Sequence, residues 1–196
     1  MYEVLISKAN KKLEQEGLKR GFEKVFFIDE DKFSLLSSND LDHIRREISR
    51  AGSKGKKIIL WGSTDQINRI AVEDKRVSML LSPEEKRKGH PLHFRDSGLN
   101  EVLCKLALKS NVAIGISFSA VKSLKGKNRA ERIARIMQNI ELCRKYGAKI
   151  VLASFGKKLS DSYSLRSFGS SLGMSTEQVK DSLESAKAIF GDSSNL

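Results

Sequence analysis

The sequence is poor in the residues from which small catalytic and disulfide-stapled proteins are built. Its 196 residues include two cysteines and three histidines, and 7% are aromatic. Cys104 and Cys143 stand singly on predicted helices, a pattern of buried thiols acting as small hydrophobes and not of a disulfide framework or a zinc site. His90 and His93 are close enough to be considered as metal ligands, but no carboxylate or third histidine is spaced to complete a site. The scarce aromatics fall mostly within apolar runs, which argues against a platform on which single-stranded bases stack. No apolar run approaches membrane-spanning length. Met1 to Ser7 has neither the basic start nor the long apolar centre of a secretory signal, so a cytoplasmic protein is expected. Gly52, Gly55 and Gly62 do not make a G-x-G-x-x-G fingerprint, and there is no GK[ST] sequence to cradle a phosphate.

Positive charge is plentiful. The formal net charge is +12 and the isoelectric point about 9.7, which points to a polyanionic partner. Residues 122 to 158 hold eleven lysines or arginines against Glu131 and Glu141, so this segment carries nine of the twelve net charges. From about Asn128 to Tyr146, Ile133, Met137 and Ile140 share one side of a 3.6-residue repeat. Arg132, Arg135 and Asn139 group opposite, so one face is expected to pack and the other to present cations.

The rest of the chain alternates strand and helix patterns every twenty to thirty-five residues, the mark of βαβ units and a parallel sheet. Six strands are expected, starting near Val4, Val25, Ile58, Val77, Val112 and Ile150. Between them lie a polar helix from Lys8 to Arg20 with Leu13 and Leu18 inward, and a helix opened by Asn39 and Asp40 with the stripe Leu41, Ile44, Ile48 and Ala51. A third is opened by Ser63 and Gln66 as a capping box. Asp29-Glu30-Asp31 reads as a solvated turn. Ser82 to Phe94, with Lys86, Arg87 and Lys88, is the least regular stretch. Leu99, Val102, Leu103, Leu106 and Ala107 form the stripe of a helix that Asp96 or Ser97 can cap. Val112 to Ile116 reads as a strand covered on both faces. A short helix through Leu165 and Phe168 precedes a last one, capped by Ser175 to Gln178, with Val179, Leu183, Ala186 and Ile189 inward. One domain over residues 1–190 and a polar tail over 191–196 are expected.

The ordered set Arg95-Asp96-Ser97-Gly98-Leu99-Asn100-Glu101-Val102-Leu103-Cys104-Lys105-Leu106-Ala107, Asn111-Val112-Ala113-Ile114-Gly115, Arg129-Ala130, Arg135, Asn139 and Lys145-Tyr146-Gly147 resembles a known family. It is ribonuclease P protein component 3, the archaeal relative of the thirty-kilodalton subunit of RNase P and RNase MRP. Ile67-Asn68-Arg69, Lys75-Arg76-Val77, Ser82-Pro83-Glu84 and Leu172-Gly173-Met174-Ser175 agree with it, and the resemblance runs over roughly residues 60 to 180.

The resemblance implies a compact α/β barrel related to the triosephosphate isomerase barrel and to metal-dependent phosphoesterase barrels. Six strands leave an open doubly wound sheet as the alternative. It also implies a subunit of the ribonucleoprotein that removes the 5′ leader of precursor tRNA, partnered by RNase P RNA and protein component 2. On this resemblance the RNA is expected to carry the active site and its Mg²⁺, and the protein to hold no cofactor of its own. The phosphoesterase relatives carry His-x-His after their first strand, where this chain has Ser7-Lys8-Ala9, so the chain alone is expected to be non-catalytic. A phosphoesterase on the same fold and a general RNA-binding module are the competing readings. The residues expected at RNA are Arg69, Lys86, Arg87, Lys88, Arg95, Lys122, Lys125, Lys127, Arg129, Arg132, Arg135, Lys157 and Lys158. Two positions depart from the family. Ser160, before Ser162-Tyr163-Ser164, stands where the resemblance implies an arginine at the RNA, and Ser78 stands where it implies an aspartate.

Overall fold

A computed structural model describes residues 1–85 and 96–191. The chain runs β1 (Tyr2–Leu5), α1 (Lys11–Lys19), β2 (Lys24–Phe27), β3 (Phe33–Leu36), α2 (Leu41–Ser53), β4 (Lys57–Trp61), α3 (Asp65–Glu73) and β5 (Val77–Leu81). It continues with α4 (Glu101–Ser110), β6 (Ala113–Ser117), α5 (Phe118–Ser123), α6 (Gly126–Tyr146), β7 (Ile150–Ala153), α7 (Ser162–Ser171) and α8 (Thr176–Phe190). All six expected strands are present. The seventh, Phe33-Ser34-Leu35-Leu36, is broken by Ser34 and lies too close to β2 to stand out as a separate apolar run.

Every paired strand is parallel, in the orders β1-β2 and β3-β4-β5-β6-β7. Past its last ladder residue β7 continues alongside β1: Phe155 N–H donates to the Val4 carbonyl and Ile6 N–H to the Gly156 carbonyl, both at 2.9 Å. Among the described residues the two sheets thereby join into a seven-stranded barrel open on one side, between β2 and β3. Ile28 to Lys32 is too short for the helical crossover that parallel neighbours require, so those strands do not pair. Phe190, from the end of α8, covers the opening, with its ring 6.2 Å from Phe26, 5.5 Å from Phe33 and 6.2 Å from Phe155. Lys57 Nζ anchors the same helix end through the Ile189 carbonyl at 2.5 Å.

Alternation along the strands divides the core. Val4, Ile59, Met79, Leu81, Ala113, Val151 and Ala153 fill the barrel, whereas Ile58, Leu60, Leu80, Ile114, Ile116, Ile150 and Leu152 face the surrounding helices. Gly115 is required at the barrel centre, because a Cβ there would lie 2.7 Å from Met79 Sδ and 2.9 Å from Leu81 Cδ1. Strands lined on one face by one another and on the other by helices make a barrel, and the doubly wound alternative is set aside. Among the described residues no helix is long and apolar enough to cross a membrane.

Several local expectations shift. Asp40 caps α2 through Asp42 and His43 N–H, and the Ser175–Gln178 capping box opens α8. Asp29 accepts from Asp31 N–H in the expected turn. Thr64, not Ser63, caps α3, because Ser63 gives its N–H to a buried asparagine instead. Asn100, not Asp96 or Ser97, caps α4, and its later start turns Val102 to solvent at 55% exposure. Leu18 is 51% exposed, since Gly17, not Leu18, meets β2: a Cβ on Gly17 would strike Val25 at 2.2 Å.

Candidate nucleic-acid interface

The largest correction concerns α6. Its buried stripe is Arg132, Arg135, Ile136, Asn139, Ile140 and Cys143, and Met137 is 43% exposed. The helix is rotated from the expected orientation because its first half covers not hydrocarbon but the polar chain that leaves β5. Arg132 Nη2 donates to the Glu85 carbonyl at 3.0 Å and Nη1 lies 3.9 Å from Glu85 Oε2, which also accepts from Trp61 Nε1 at 2.5 Å. Asn139 Nδ2 donates to the Ser97 carbonyl at 3.0 Å and points at Glu84 Oε2 at 3.5 Å. Arg132 is therefore a buried positioning group, Arg135 is buried beside it on the same stripe, and neither is part of an exposed cationic face. A guanidinium suits this role, since its long stem packs while its planar donors reach carbonyls and carboxylates.

A second asparagine completes the brace. Asn68 on α3 is fully buried, accepts from Ser63 N–H at 2.9 Å, and donates to the Pro83 carbonyl at 3.2 Å and the Gly98 carbonyl at 3.0 Å. Asn68 and Asn139 thus hold chain on both sides of residues 86–95. Gly62 brings β4 against the same turn, where a Cβ would lie 2.4 Å from Pro83 Cα. Glu84 is buried there, and burial pushes its carboxyl up to about 7 despite the attraction of Arg132. Sequence reasoning noticed Ser82-Pro83-Glu84 and both asparagines as family positions but not their mutual contact.

The remaining cations divide by surroundings. Lys86, Arg87, Lys88 and Arg95, with His90 and His93, lie outside the described residues. Arg69 is exposed but paired with Glu73 at 2.8 Å along α3. Lys122, Lys125, Lys127 and Arg129 are exposed together on α5, the following turn and the start of α6, and Lys157 and Lys158 are exposed after β7. Lys127 lies 3.8 Å from Glu131. Arg129 donates to the Leu124 carbonyl at 2.7 Å and the Lys122 carbonyl at 3.1 Å, fixing the turn that carries its neighbours. Lys122, Lys157 and Lys158 line one cleft of about 310 Å³ beyond the carboxyl ends of β6 and β7. The exposed cationic surface therefore lies on the face where parallel barrels carry their functional loops.

Ser160, at the position where an arginine was implied, faces inward. With Ser154 it surrounds the fully buried Glu3: Oε1 accepts from Val4 N–H at 2.9 Å and Ser154 N–H at 2.8 Å. Oε2 accepts from Ser154 Oγ at 2.6 Å, Ser160 N–H at 3.2 Å and Ser160 Oγ at 2.5 Å. Replacing Glu3 with Gln puts an NH₂ group where backbone N–H groups converge, and these, unlike hydroxyls, cannot rotate to accept. Glu3→Gln is expected to lose about 1–3 kcal/mol of stability, read from the urea midpoint, and Ser160→Ala a smaller amount. Ser78 is half-buried and lines a separate cleft with Lys57, Lys75 and Lys149 at the amino ends of the strands. The two cysteines meet between α4 and α6, where a hydrogen bond from Cys143 lowers the Cys104 thiol and raises that of Cys143.

Comparison with known proteins agrees with the architecture. The model of the family described as RNase P subunit p30 matches residues 36–195. Ribonuclease P protein component 3 of Methanosarcina mazei is 33% identical over 132 residues, covering 64% of this chain and 51% of that protein. Its counterpart in Methanothermobacter thermautotrophicus is 30% identical over 168 residues, covering 82% and 64%. The chain thus spans about half to two thirds of the length of these relatives. Among solved structures, a chain in the cryo-EM structure of archaeal ribonuclease P with mature tRNA superposes with a TM-score of 0.70 at 23% identity. The match covers 96% of this chain and 79% of that one and reproduces the fold. With the family match extending over most of the sequence and the ordered motifs falling where this barrel uses them, the chain belongs to the RNase P subunit p30 family.

Proposed function

We propose that this chain is a non-catalytic protein subunit of ribonuclease P in the cytoplasm. It binds and helps fold the RNase P RNA together with protein component 2, in the enzyme that removes the 5′ leader of precursor tRNA. Family membership carries the reading, and the exposed cations at the carboxyl face of the barrel give it a physical basis. A catalytic RNA folds against its own phosphate repulsion, and a rigid cationic surface lowers that repulsion and releases counterions. RNA helices are bound largely through shape and backbone, for which lysines on a scaffold suffice. The loop after β1 carries Ser7-Lys8-Ala9 in place of the His-x-His of phosphoesterase barrels, so the chain supplies charge and shape while Mg²⁺ chemistry stays with the RNA.

The test is reconstitution. The chain alone should leave precursor tRNA intact, yet raise cleavage when added with component 2 to RNase P RNA, most strongly at low Mg²⁺ where phosphate repulsion is least screened. Metal-dependent cleavage by the protein alone would favour the phosphoesterase. Recovery of the chain from its host with other RNAs but without RNase P RNA would favour a general RNA-binding module.

The rotation of α6 decides which cations to change. Replacing Lys122, Lys125 and Arg129 together with Ala should weaken RNA association and flatten the slope of log K against log salt by roughly 0.7–0.9 for each phosphate that is no longer neutralised. The same replacement at Arg132 and Arg135 should instead lower the thermal midpoint. An unchanged salt slope in the first variant would sink the assignment of this surface.

A further inference from the structure

The cleft beyond β6 and β7 has the makings of a discrete site. One wall is α5, which contributes Ser119, Lys122 and Ser123, and the other is the turn carrying Lys157 and Lys158. The walls close on each other at Gly156, where a Cβ would lie 2.3 Å from Ser119 Oγ, so any side chain at that position would wedge them apart. Among the described residues no carboxylate lines the cleft. The nearest acid in sequence, Asp161, caps α7, where its carboxylate accepts from Ser164 N–H at 2.7 Å, and its charge also attracts Lys122 without forming an ion pair with it. Unlike Arg69, Arg76 and Lys105, which are paired with acids, Lys122, Lys157 and Lys158 form no ion pair among the described residues. Lys122 is further held with its ammonium 6.0 Å from the Phe118 ring centroid.

We propose that this cleft binds a single phosphate group, with the three ammonium groups neutralising its charge and the Ser119 hydroxyl donating to one of its oxygens, the Ser123 hydroxyl being given to the Ala120 carbonyl at 2.8 Å. Three cations without an ion pair around a concave site with a hydroxyl donor favour an anion of concentrated charge over a diffuse polyanionic contact. Its place fits the fold, because parallel α/β barrels frequently bind phosphate between the loops that follow their last two strands. The volume of about 310 Å³ is at the lower end for small-molecule sites and admits a phosphate with an attached ribose. The phosphate can come from an RNA backbone, which rests on the function proposed above, or from a free nucleotide, which does not.

The experiment is a titration of the full chain with inorganic phosphate and with adenosine 5′-monophosphate, followed by ³¹P line broadening and calorimetry. It is repeated for Lys157→Ala/Lys158→Ala, for Lys122→Ala, and for Lys54→Ala/Lys180→Ala as a control of equal charge loss on exposed lysines elsewhere. Both cleft variants should weaken phosphate binding about tenfold or more relative to the control, with unchanged circular dichroism. Absence of saturable binding to the unmodified chain, or equal weakening by the control, overturns the site. A short RNA that displaces phosphate from the unmodified chain but not from the cleft variants identifies the backbone as the source. Tight nucleotide binding that RNA does not displace keeps the cleft but assigns it to a free nucleotide, and leaves the RNA-subunit reading to be judged by reconstitution alone.

Discussion

Replacing Glu84 with Gln is expected to remove a large part of the pH dependence of stability around neutrality. Glu84 is fully buried and its folded carboxyl is pushed up to about 7 from 4.5, with loss of hydration as the main cause. Arg132 and the Asn139 amide pull the other way, while the neighbouring Glu85 adds to the rise. A carboxyl raised on folding favours the folded state only while protonated. Its contribution is fully present below about 4.5 and is lost as the pH rises through about 7. The span corresponds to about 3 kcal/mol. Urea unfolding of the two proteins from pH 4 to 8.5 should show Glu84→Gln gaining on the parent by that order between pH 4.5 and 7.5, with no further gain above. A difference that stays flat across the range would mean that Glu84 is hydrated or ionised without cost. The acid sits in the turn that leaves β5, so the same experiment reports on the brace beside the proposed RNA surface.

The sequence shows the fold more readily than the site, and the reason lies in what each pattern measures. The centre of β4, Ile58 to Leu60, and the whole of β6 are buried on both faces, so they appear as apolar runs whatever their neighbours. The break at β2–β3 and its cover by Phe190 depend on closure of the barrel, which no local window contains. Charge was legible as an excess between residues 122 and 158, but its distribution was not. A polar residue opposite an isoleucine stripe ordinarily faces water, and Arg132, Arg135 and Asn139 are buried instead; the groups that Arg132 and Asn139 meet, Glu84, Glu85 and Ser97, come from another part of the chain. The resemblance could mark those positions as shared with a family without saying which way they face. Ser160 shows the same limit: its partner, Glu3, is 157 residues away and carries no motif.

Asn68→Asp should be the most damaging single-atom change in the molecule outside the barrel itself. The amide presents one acceptor to Ser63 N–H and two donors to the Pro83 and Gly98 carbonyls, a division that only an asparagine of this orientation satisfies. Aspartate retains the acceptor but aims a second oxygen at two carbonyl oxygens in a site with no solvent, so it either carries an unpaired buried charge or takes up a proton. Asn68→Ala merely leaves the three partners without hydrogen bonds. On these grounds Asn68→Ala should lose about 3 kcal/mol, and Asn68→Asp about 4 kcal/mol or more at pH 8, with part of the excess recovered near pH 5 as the carboxyl protonates. Two effects should accompany the loss of stability. Under the proposed function, RNA affinity measured at a temperature where both variants remain folded should fall, because Asn68 holds chain on both sides of residues 86–95. The effect of the Lys157→Ala/Lys158→Ala change should be undiminished in either background, since that cleft lies beyond different strands. An Asn68→Asp protein as stable as Asn68→Ala at pH 8 would show that water reaches the amide and that the brace is looser than its hydrogen bonds imply.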